Sequence, residues 1–281
     1  MAERANAAQV QAWNGDSGRA WVTLQAVLDQ TLKPFEDLIV DAVAAAPGTH
    51  RRILDLGCGT GATTLALAER FGVHDRCTGI DISEPMIQTA RTRKGARGPP
   101  VDFIIGDAQT FPFRSSTFDV LVSRFGVMFF DDPLAAFGNL RRATRPGGRL
   151  AFLCWRLPQD NPFMSTAEHA AAPLLADLKP AIPGGPGPFA FADPHRTQSI
   201  LRAGGWTAIT VRPVDATCTM AETDLMPYLT RMGPVGRMLP ALDDQTRAQV
   251  IAVLREAYTE FITDGEVRYT AACWMVEALA A

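Results

Sequence analysis

Short apolar runs alternate with helical segments between residues 50 and 155, and this alternation limits the possible fold more than any other feature. The apolar runs lie at 52–56, 77–81, 101–105, 118–123 and 149–155. Segments whose apolar residues recur at helical spacing lie at 63–70, 84–93 and 134–144. Strands that alternate with helices in this rhythm form a parallel sheet with right-handed crossovers. The sequence therefore predicts an α/β, doubly wound unit over 50–155.

The rest of the chain departs from this rhythm. Its segments are an N-terminal helical segment (1–49), a first insertion rich in Pro and Gly (156–195), a helix and strand that return to the core (196–213), a second helical insertion (214–265) and a last core strand (266–281). Insertions in open α/β domains usually build the site above the strand ends. We expect the two insertions to form a helical cap and the N-terminal segment to cover the same site.

The composition excludes several classes of protein. Of the 281 residues 47% are hydrophobic, which is enough for a packed core, and no run approaches the roughly 18 apolar residues of a membrane span. The segment from Met1 to Asn6 lacks the apolar stretch of a secretory signal. A net charge of −3 disfavours nucleic acid as a partner. Five scattered cysteines, none in a C-x-x-C pair, predict reduced thiols and a cytoplasmic location.

A glycine-rich loop follows the first strand of the core. Gly57, Gly59 and Gly61 allow a sharp turn and let backbone N–H groups approach a ligand, while the next helix directs its positive end into the same space. Asp81 closes the second strand, 20 residues beyond Gly61, where a carboxylate can accept hydrogen bonds from two ribose hydroxyls. Together these residues predict a nucleoside cofactor.

The identity of that cofactor depends on two further carboxylates. The run from Gly57 to Ala62 also satisfies the dinucleotide pattern G-x-G-x-x-G/A, so a nicotinamide-dependent oxidoreductase is one alternative. However, Asp55 stands two positions before the glycines, where it would repel a pyrophosphate and attract an ammonium or a sulfonium. Asp107 follows the third strand and can accept a hydrogen bond from an adenine amino group.

Four motifs in order carry a family resemblance over residues 50–155. They are Leu-Asp-Leu-Gly-Cys-Gly-Thr-Gly, Gly-Ile-Asp-Ile-Ser, Gly-Asp-Ala-Gln-Thr-Phe-Pro-Phe and Arg-Pro-Gly-Gly. The chain resembles class I S-adenosylmethionine-dependent methyltransferases, and within them the small-molecule branch of the ubiquinone/menaquinone C-methyltransferases. The resemblance implies a seven-stranded, Rossmann-like sheet whose last strand, here 267–276, is antiparallel. It also implies S-adenosylmethionine as cofactor, with S-adenosylhomocysteine as product.

The resemblance assigns roles to individual residues as well. Asp55 would lie near the methionine ammonium, the loop glycines under the methionine and ribose, and Asp81 at the ribose hydroxyls. Asp107 would contact the adenine amine. The cofactor-binding residues that it implies are Trp21, Asp55, Gly57, Gly59, Gly61, Asp81, Ile82, Asp107, Ala108, Ser123, Arg124 and Phe125.

The acceptor is expected to be a small molecule, apolar or aromatic, because an apolar run at 125–130 leaves the fourth strand towards the cofactor. Methyl transfer from a sulfonium is an in-line displacement, so alignment and exclusion of water supply much of the rate. The sequence leaves open whether an O, N or C atom is methylated, and whether the chain oligomerises. A non-catalytic protein that binds S-adenosylmethionine is a second alternative.

The sequence contains no obvious catalytic base or metal site. His169 is the first candidate for a base and His195 the second, because both fall in the first insertion. Asp131 and Asp132 precede a proline, which is typical of a helix start, so no metal is predicted there. The Pro/Gly-rich stretch 183–188 is expected to act as a mobile lid that excludes water during transfer.

Overall fold

The computed structural model describes most of the chain, namely residues 6–95, 100–179, 182 and 184–281. Residues 1–5, 96–99, 180–181 and 183 lie outside the described residues. The predicted segments 1–49 and 156–195 and the predicted lid at 183–188 are therefore described in part.

One mixed sheet forms the centre of the molecule. Its strands are β1 (Arg52–Leu56), β2 (Arg76–Asp81), β3 (Val101–Ile105), β4 (Phe118–Arg124), β5 (Thr144–Trp155), β6 (Trp206–Ala221), β7 (Ile262–Thr263) and β8 (Glu266–Ala280). The strand order is β3–β2–β1–β4–β5–β8–β6, with β7 beside β8. Strands β1 to β5 are parallel, and β8 is antiparallel to β5, β6 and β7. The predicted fold class and the antiparallel last strand are confirmed, and the short β7 is added to the seven strands predicted.

Helices connect the strands and cover the sheet. They are α1 (Ala7–Asn14), α2 (Asp16–Thr23), α3 (Gln25–Thr31), α4 (Lys33–Ala44), α5 (Ala62–Phe71), α6 (Glu84–Lys94), α7 (Pro133–Ala143), α8 (Pro162–Ala171), α9 (Pro194–Ala203), α10 (Glu222–Leu229), α11 (Gly233–Met238) and α12 (Asp244–Ala257). The crossovers after β1, β2 and β4 are α5, α6 and α7. Every helix within the described ranges is too short or too polar to span a bilayer.

The central strands are buried because the sheet is covered on both faces, as parallel sheets usually are. Leu54, Leu56, Leu121 and Val122 are fully buried, which accounts for the near-continuous apolar runs in the sequence. Strand β5 begins at Thr144, earlier than the predicted 149, because Thr144 already pairs with Phe118 before a shift in register.

The edge strands β6 and β8 extend well beyond the rest of the sheet. Trp155, the last residue of β5, is level with Cys273 of β8, which in turn pairs with Val214 of β6. Residues 215–221 and 266–272 therefore project past the carboxyl end of the sheet as a two-stranded arm. Cys218 and Met220 are buried on one face of this arm, so the segment has the period of a strand. The helices of the second insertion accordingly begin at 222, whereas the sequence placed the insertion's start at 214.

The two insertions share a core that rests on this arm. The ring of Phe163 in α8 stacks on Tyr269 of β8, with centroids 3.8 Å apart and planes 2° from parallel. The hydroxyl of Tyr258, just after α12, donates to the carbonyl of Phe163 at 2.7 Å and accepts the N–H of Ala167 at 3.2 Å. Helices from both insertions thus pack together above the carboxyl end of the sheet.

Candidate active site

The glycine loop after β1 is shaped by close backbone contacts. Gly57, Gly59 and Gly61 all have positive φ, at 63°, 56° and 87°. A Cβ on Gly57 would lie only 2.6 Å from the Cα of Gly126, which follows β4. The carbonyl of Ile80 in β2 accepts the N–H groups of Gly57 at 2.9 Å and Cys58 at 3.1 Å. Glycine is required at position 57 because two main chains meet there.

Asp81 lies at the carboxyl end of β2, directly beside this loop. Its two carboxylate oxygens accept the backbone N–H groups of Gly59 and Ser83, each at 2.8 Å. Burial raises the pKa of Asp81, and these two hydrogen bonds oppose the rise. Each oxygen keeps a further lone pair, so the carboxylate can accept from two hydroxyls of a ligand while it holds the loop.

Asp55 in β1 is the most deeply buried carboxylate of the site, with 1% of its surface exposed. It accepts a hydrogen bond from the hydroxyl of Thr64 at 2.6 Å. Burial raises the pKa of Asp55 to about 7, although Thr64 and the positive charge of Arg124 act against the rise. A cationic group bound nearby would favour the ionised form.

Asp107 and Ala108 follow β3 on the other side of Asp81. The carboxylate of Asp107 accepts from the side-chain amide of Asn6 at 3.2 Å, from the N–H of Gln109 at 2.9 Å and from the hydroxyl of Thr110 at 3.2 Å. Ala108 is buried. The structure thus places Asp107 where the N-terminal segment meets the core.

Ser123, Arg124 and Phe125 have three different environments at the end of β4. The buried hydroxyl of Ser123 donates to the carbonyl of Leu56 at 2.7 Å and accepts the N–H of Gly126 at 3.1 Å, so it joins the ends of β1 and β4. Phe125 has a positive φ of 64°, and its ring stacks on Trp155 at 4.3 Å. Arg124 is half-buried.

The N-terminal helices lie over the glycine loop and the end of β2. The indole nitrogen of Trp21 would be 3.6 Å from a Cβ on Gly59. Asn14 donates to the carbonyl of Ile82 at 3.0 Å, and the hydroxyl of Ser83 donates to the carbonyl of Trp13 at 2.6 Å. Trp21 and Ile82, both predicted to bind the cofactor, are therefore brought to the same place as the loop.

The sequence analysis missed a set of charged residues beneath this cover. Arg93 of α6 donates to the carbonyl of Thr60 at 2.7 Å and to the carboxylate of Asp29 at 2.5 Å. Glu36 of α4 is a charged residue, yet it is only 7% exposed and lies beside the fully buried core residues Phe35 and Ile39. A carboxylate within the apolar face of α4 was the signal that could have revealed Glu36.

The two candidate bases and the predicted lid lie on different elements, and α9, which carries His195, packs on α7 and β6 of the core. His169 on α8 and His195 at the start of α9 are both exposed. Gly187 donates its N–H to the carbonyl of Met128 at 3.0 Å, and Arg196 donates to the carbonyl of Gly184 at 3.0 Å. The described part of 183–188 is therefore hydrogen-bonded to neighbouring elements.

Asp132 caps α7, as the sequence pattern indicated. Its carboxylate accepts the N–H of Ala135 at 3.0 Å, while the backbone N–H of Asp131 donates to Asn6 at 3.2 Å. Asp132 thus satisfies a free N–H group at the start of a helix, as an N-cap residue does.

Comparison with known proteins decides the family. Residues 53–148 match the family described as "Methyltransferase domain". A demethylmenaquinone methyltransferase of Thermus thermophilus is 33% identical over 165 residues, which cover 56% of this chain and 74% of that protein. The chain belongs to the class I S-adenosylmethionine-dependent methyltransferases.

Two further relatives define how far this similarity extends. A demethylmenaquinone methyltransferase of Renibacterium salmoninarum is 35% identical over 149 residues, which cover 52% of this chain but only 59% of that relative. The YcgJ protein of Bacillus subtilis has the same fold, with a TM-score of 0.55, 17% identity and coverage of 88% of this chain and 98% of that one. The match to the Renibacterium relative thus covers about half of this chain, and the likeness to YcgJ shows the fold alone.

The charges of the site fit the cofactor of this family, S-adenosylmethionine. Asp55 and Asp81 are both buried beside the glycine loop, and neither has a Lys or Arg ion-pair partner among the described residues, whereas Asp29 is paired with Arg93. An excess of buried negative charge is stabilised by a ligand of net positive charge. S-adenosylmethionine carries a sulfonium, an ammonium and one carboxylate, which meets that requirement.

Proposed function

We propose that the chain transfers the methyl group of S-adenosylmethionine to a small-molecule acceptor bound beneath the cap. The observation that carries this proposal is the pair of buried carboxylates, Asp55 and Asp81, on either side of the glycine loop. A carboxylate as buried as Asp55 is costly unless a cation accompanies it. A sulfonium cofactor supplies that cation, whereas the pyrophosphate of a nicotinamide dinucleotide would be repelled.

Within this proposal each part of the site binds one part of the cofactor. Asp81 accepts the ribose hydroxyls, and Asp107 accepts the adenine amine beside Ile82 and Ala108. Asp55 faces the methionine ammonium, and the loop glycines let the main chain approach it closely. The end of β4, with Ser123, Arg124 and Phe125, borders the methionine and the acceptor, and Trp21 closes the site from above.

The chain's own contribution to the reaction is alignment and exclusion of water. When bound, S-adenosylmethionine supplies an electrophilic methyl group on a sulfonium. The arm of β6 and β8 extends past the carboxyl end of β5, which supports an acceptor site beneath the helices packed on the arm. The apolar surroundings of Phe125 and Trp155 favour an apolar or aromatic acceptor. His169 and His195 stay candidates for a base.

The five cysteines favour a reducing compartment for this activity. All five are free and buried in the structure. Thiols that remain free are typical of proteins kept in the cytoplasm, where we propose that the chain acts.

Calorimetry tests the binding half of this proposal. S-adenosylmethionine and S-adenosylhomocysteine are expected to bind, and NAD is expected to bind at least 100-fold more weakly. Incubation with a methyl-labelled cofactor and a panel of small phenols, amines and enolisable carbon acids then tests transfer. Tight binding of NAD with no binding of either sulfur ligand would contradict the proposal, and binding without transfer to any acceptor would favour a non-catalytic role.

A further inference from the structure

Glu36 is a buried carboxylate that the cofactor assignments leave unused. It lies on α4 between core residues, and its only ion-pair partner among the described residues is Lys33, whose Nζ is 3.3 Å away at the protein surface. Lys33 also contacts the exposed carboxylate of Asp37. Glu36 therefore shares the half-exposed Lys33 with Asp37, and such a partner compensates little for the free-energy cost of burying the carboxylate.

Arg124 and the backbone of Glu36 share one hydrogen-bond acceptor. The carbonyl of Leu32 accepts both the guanidinium of Arg124 at 3.2 Å and the backbone N–H of Glu36 at 3.2 Å. The shared carbonyl places the end of β4 within one helical turn of Glu36. The carboxylates of Glu36, Asp29 and Asp55 attract the guanidinium.

Thr31, next to Leu32, is the other unused polar group in this region. Its hydroxyl is buried, with the residue 2% exposed, and has no hydrogen-bond partner in the described part of the chain. Buried hydroxyls are nearly always hydrogen-bonded, so an unpaired one indicates a missing partner. An unpaired hydroxyl, an under-compensated carboxylate and a guanidinium thus lie within one turn of the junction between α3 and α4.

We propose that Glu36 is the catalytic base of the reaction and that the acceptor is a small hydroxyl compound, such as a phenol or an enol, methylated on oxygen. This inference rests on the proposed function. Glu36 takes the proton of the acceptor hydroxyl, and Arg124 stabilises the oxyanion that forms. The oxygen's electron pair forms the new bond to the methyl carbon, and the carbon–sulfur bond breaks with its electron pair moving to sulfur. The products are the methyl ether, neutral S-adenosylhomocysteine and protonated Glu36.

The charges around Glu36 suit such a proton transfer. Burial raises the pKa of Glu36, and repulsion from Asp29 adds to this, whereas Arg124 and Lys33 lower it. Asp55 of β1 and Arg93 of α6 are the further charged groups near the guanidinium. A carboxylate with a raised pKa is a stronger base towards a weakly acidic hydroxyl, and an adjacent arginine stabilises the anion. A neutral amine would need no such base, because its nitrogen attacks before it loses a proton.

The test compares Glu36→Gln with Asp41→Asn, an exposed carboxylate on the same helix, against phenol, 4-cyanophenol and 4-nitrophenol. We expect Glu36→Gln to lower kcat for phenol by about 100-fold while the affinity for S-adenosylhomocysteine stays within threefold. The defect should shrink as the acceptor becomes more acidic, because an acceptor that is already ionised needs no base. The acid limb of the wild-type pH profile should disappear in Glu36→Gln, and Asp41→Asn should behave as wild type.

Several results would overturn this inference without affecting the proposed function. One is that Glu36→Gln lowers kcat equally for all three phenols, or does not lower it at all. Another is that the wild-type enzyme methylates amines or carbon acids but none of the phenols. A loss that depends on acceptor acidity in His169→Ala or His195→Ala, and not in Glu36→Gln, would identify a histidine as the base. Failure of the wild-type chain to bind S-adenosylmethionine would instead refute the proposed function itself.

Discussion

The side-chain amide of Asn6 donates a hydrogen bond to the carboxylate of Asp107 across 101 positions of the sequence. The same side chain accepts the N–H of Asp131 at 3.2 Å. Asn6 therefore joins the start of α1 to two loops at the carboxyl end of the sheet. Since Asp107 is the proposed partner of the adenine amine, the cover formed by the N-terminal helices is attached to the cofactor site itself.

This attachment predicts that Asn6→Ala speeds cofactor release. Loss of a hydrogen bond of about 1 kcal/mol that holds the cover closed should raise the dissociation rate of S-adenosylhomocysteine about fivefold. Stopped-flow fluorescence of Trp13 and Trp21 would measure that rate. Gln11→Ala, an exposed change on the same helix, is the control and should leave the rate unaltered. An unchanged rate in Asn6→Ala would show that the cover does not control release.

The environment of Asp81 predicts two separate effects of Asp81→Ala. We expect affinity for S-adenosylhomocysteine to fall by about 2–3 kcal/mol, the value of charge-assisted hydrogen bonds to hydroxyls. From the sequence, such a carboxylate at the end of a strand is expected to contribute little to stability. However, Asp81 is only 8% exposed and accepts the N–H groups of Gly59 and Ser83, so the melting temperature of Asp81→Ala is expected to fall as well.

Two variants separate these effects of Asp81. Asp81→Asn keeps one acceptor oxygen and should lose less affinity and less stability than Asp81→Ala. Asp102→Asn, an exposed change on the neighbouring strand β3, should alter neither. Calorimetry and thermal unfolding would measure the two quantities, and full affinity in Asp81→Ala would refute the ribose assignment.

The sequence predicted the core well because its signals are local. Strand periodicity, the glycine loop and Asp81 all lie within a few residues of the features that they specify. The sequence did not indicate Glu36 as a site residue, because its position relative to Arg124 depends on how α4 packs on β4. The sequence also did not predict that β6 continues to residue 221. Threonines alternate there with buried residues such as Cys218, which is the spacing of a strand, but the segment lies within what was predicted to be a helical insertion.

The buried state of Asp55 predicts that Asp55→Asn stabilises the free protein. The pKa of Asp55 is about 7 in the folded chain and 3.8 as its ordinary value. Between pH 3.8 and about 7, Asp55 is ionised in the unfolded chain but still protonated in the folded chain. Ionisation therefore favours unfolding, and the free energy of unfolding falls as the pH rises to about 7. Removal of this penalty should raise stability at pH 8 by at most about 4 kcal/mol, and the gain should vanish near pH 4. Thermal unfolding across that pH range measures it.

The same substitution should impair cofactor binding, because asparagine offers no charge to the methionine ammonium. We expect weaker binding of S-adenosylhomocysteine to Asp55→Asn together with the higher melting temperature. Glu69→Gln on the exposed end of α5 should show neither change. A variant that is less stable than wild type at pH 8 would contradict the raised pKa.

Tyr258 predicts that the cap can be weakened independently of the cofactor core. Tyr258→Phe leaves the carbonyl of Phe163 and the N–H of Ala167 without this hydroxyl, at a cost of about 1–3 kcal/mol. Amide hydrogen exchange should therefore become faster in residues 162–171 and 244–257 but not in 52–81. The affinity for S-adenosylhomocysteine should stay unchanged, whereas methyl transfer should slow because the cap covers the site less firmly. Thr259→Ala, which removes an exposed hydroxyl bonded to Arg255, is the matched control. Faster exchange throughout the sheet would show instead that cap and core unfold as one unit.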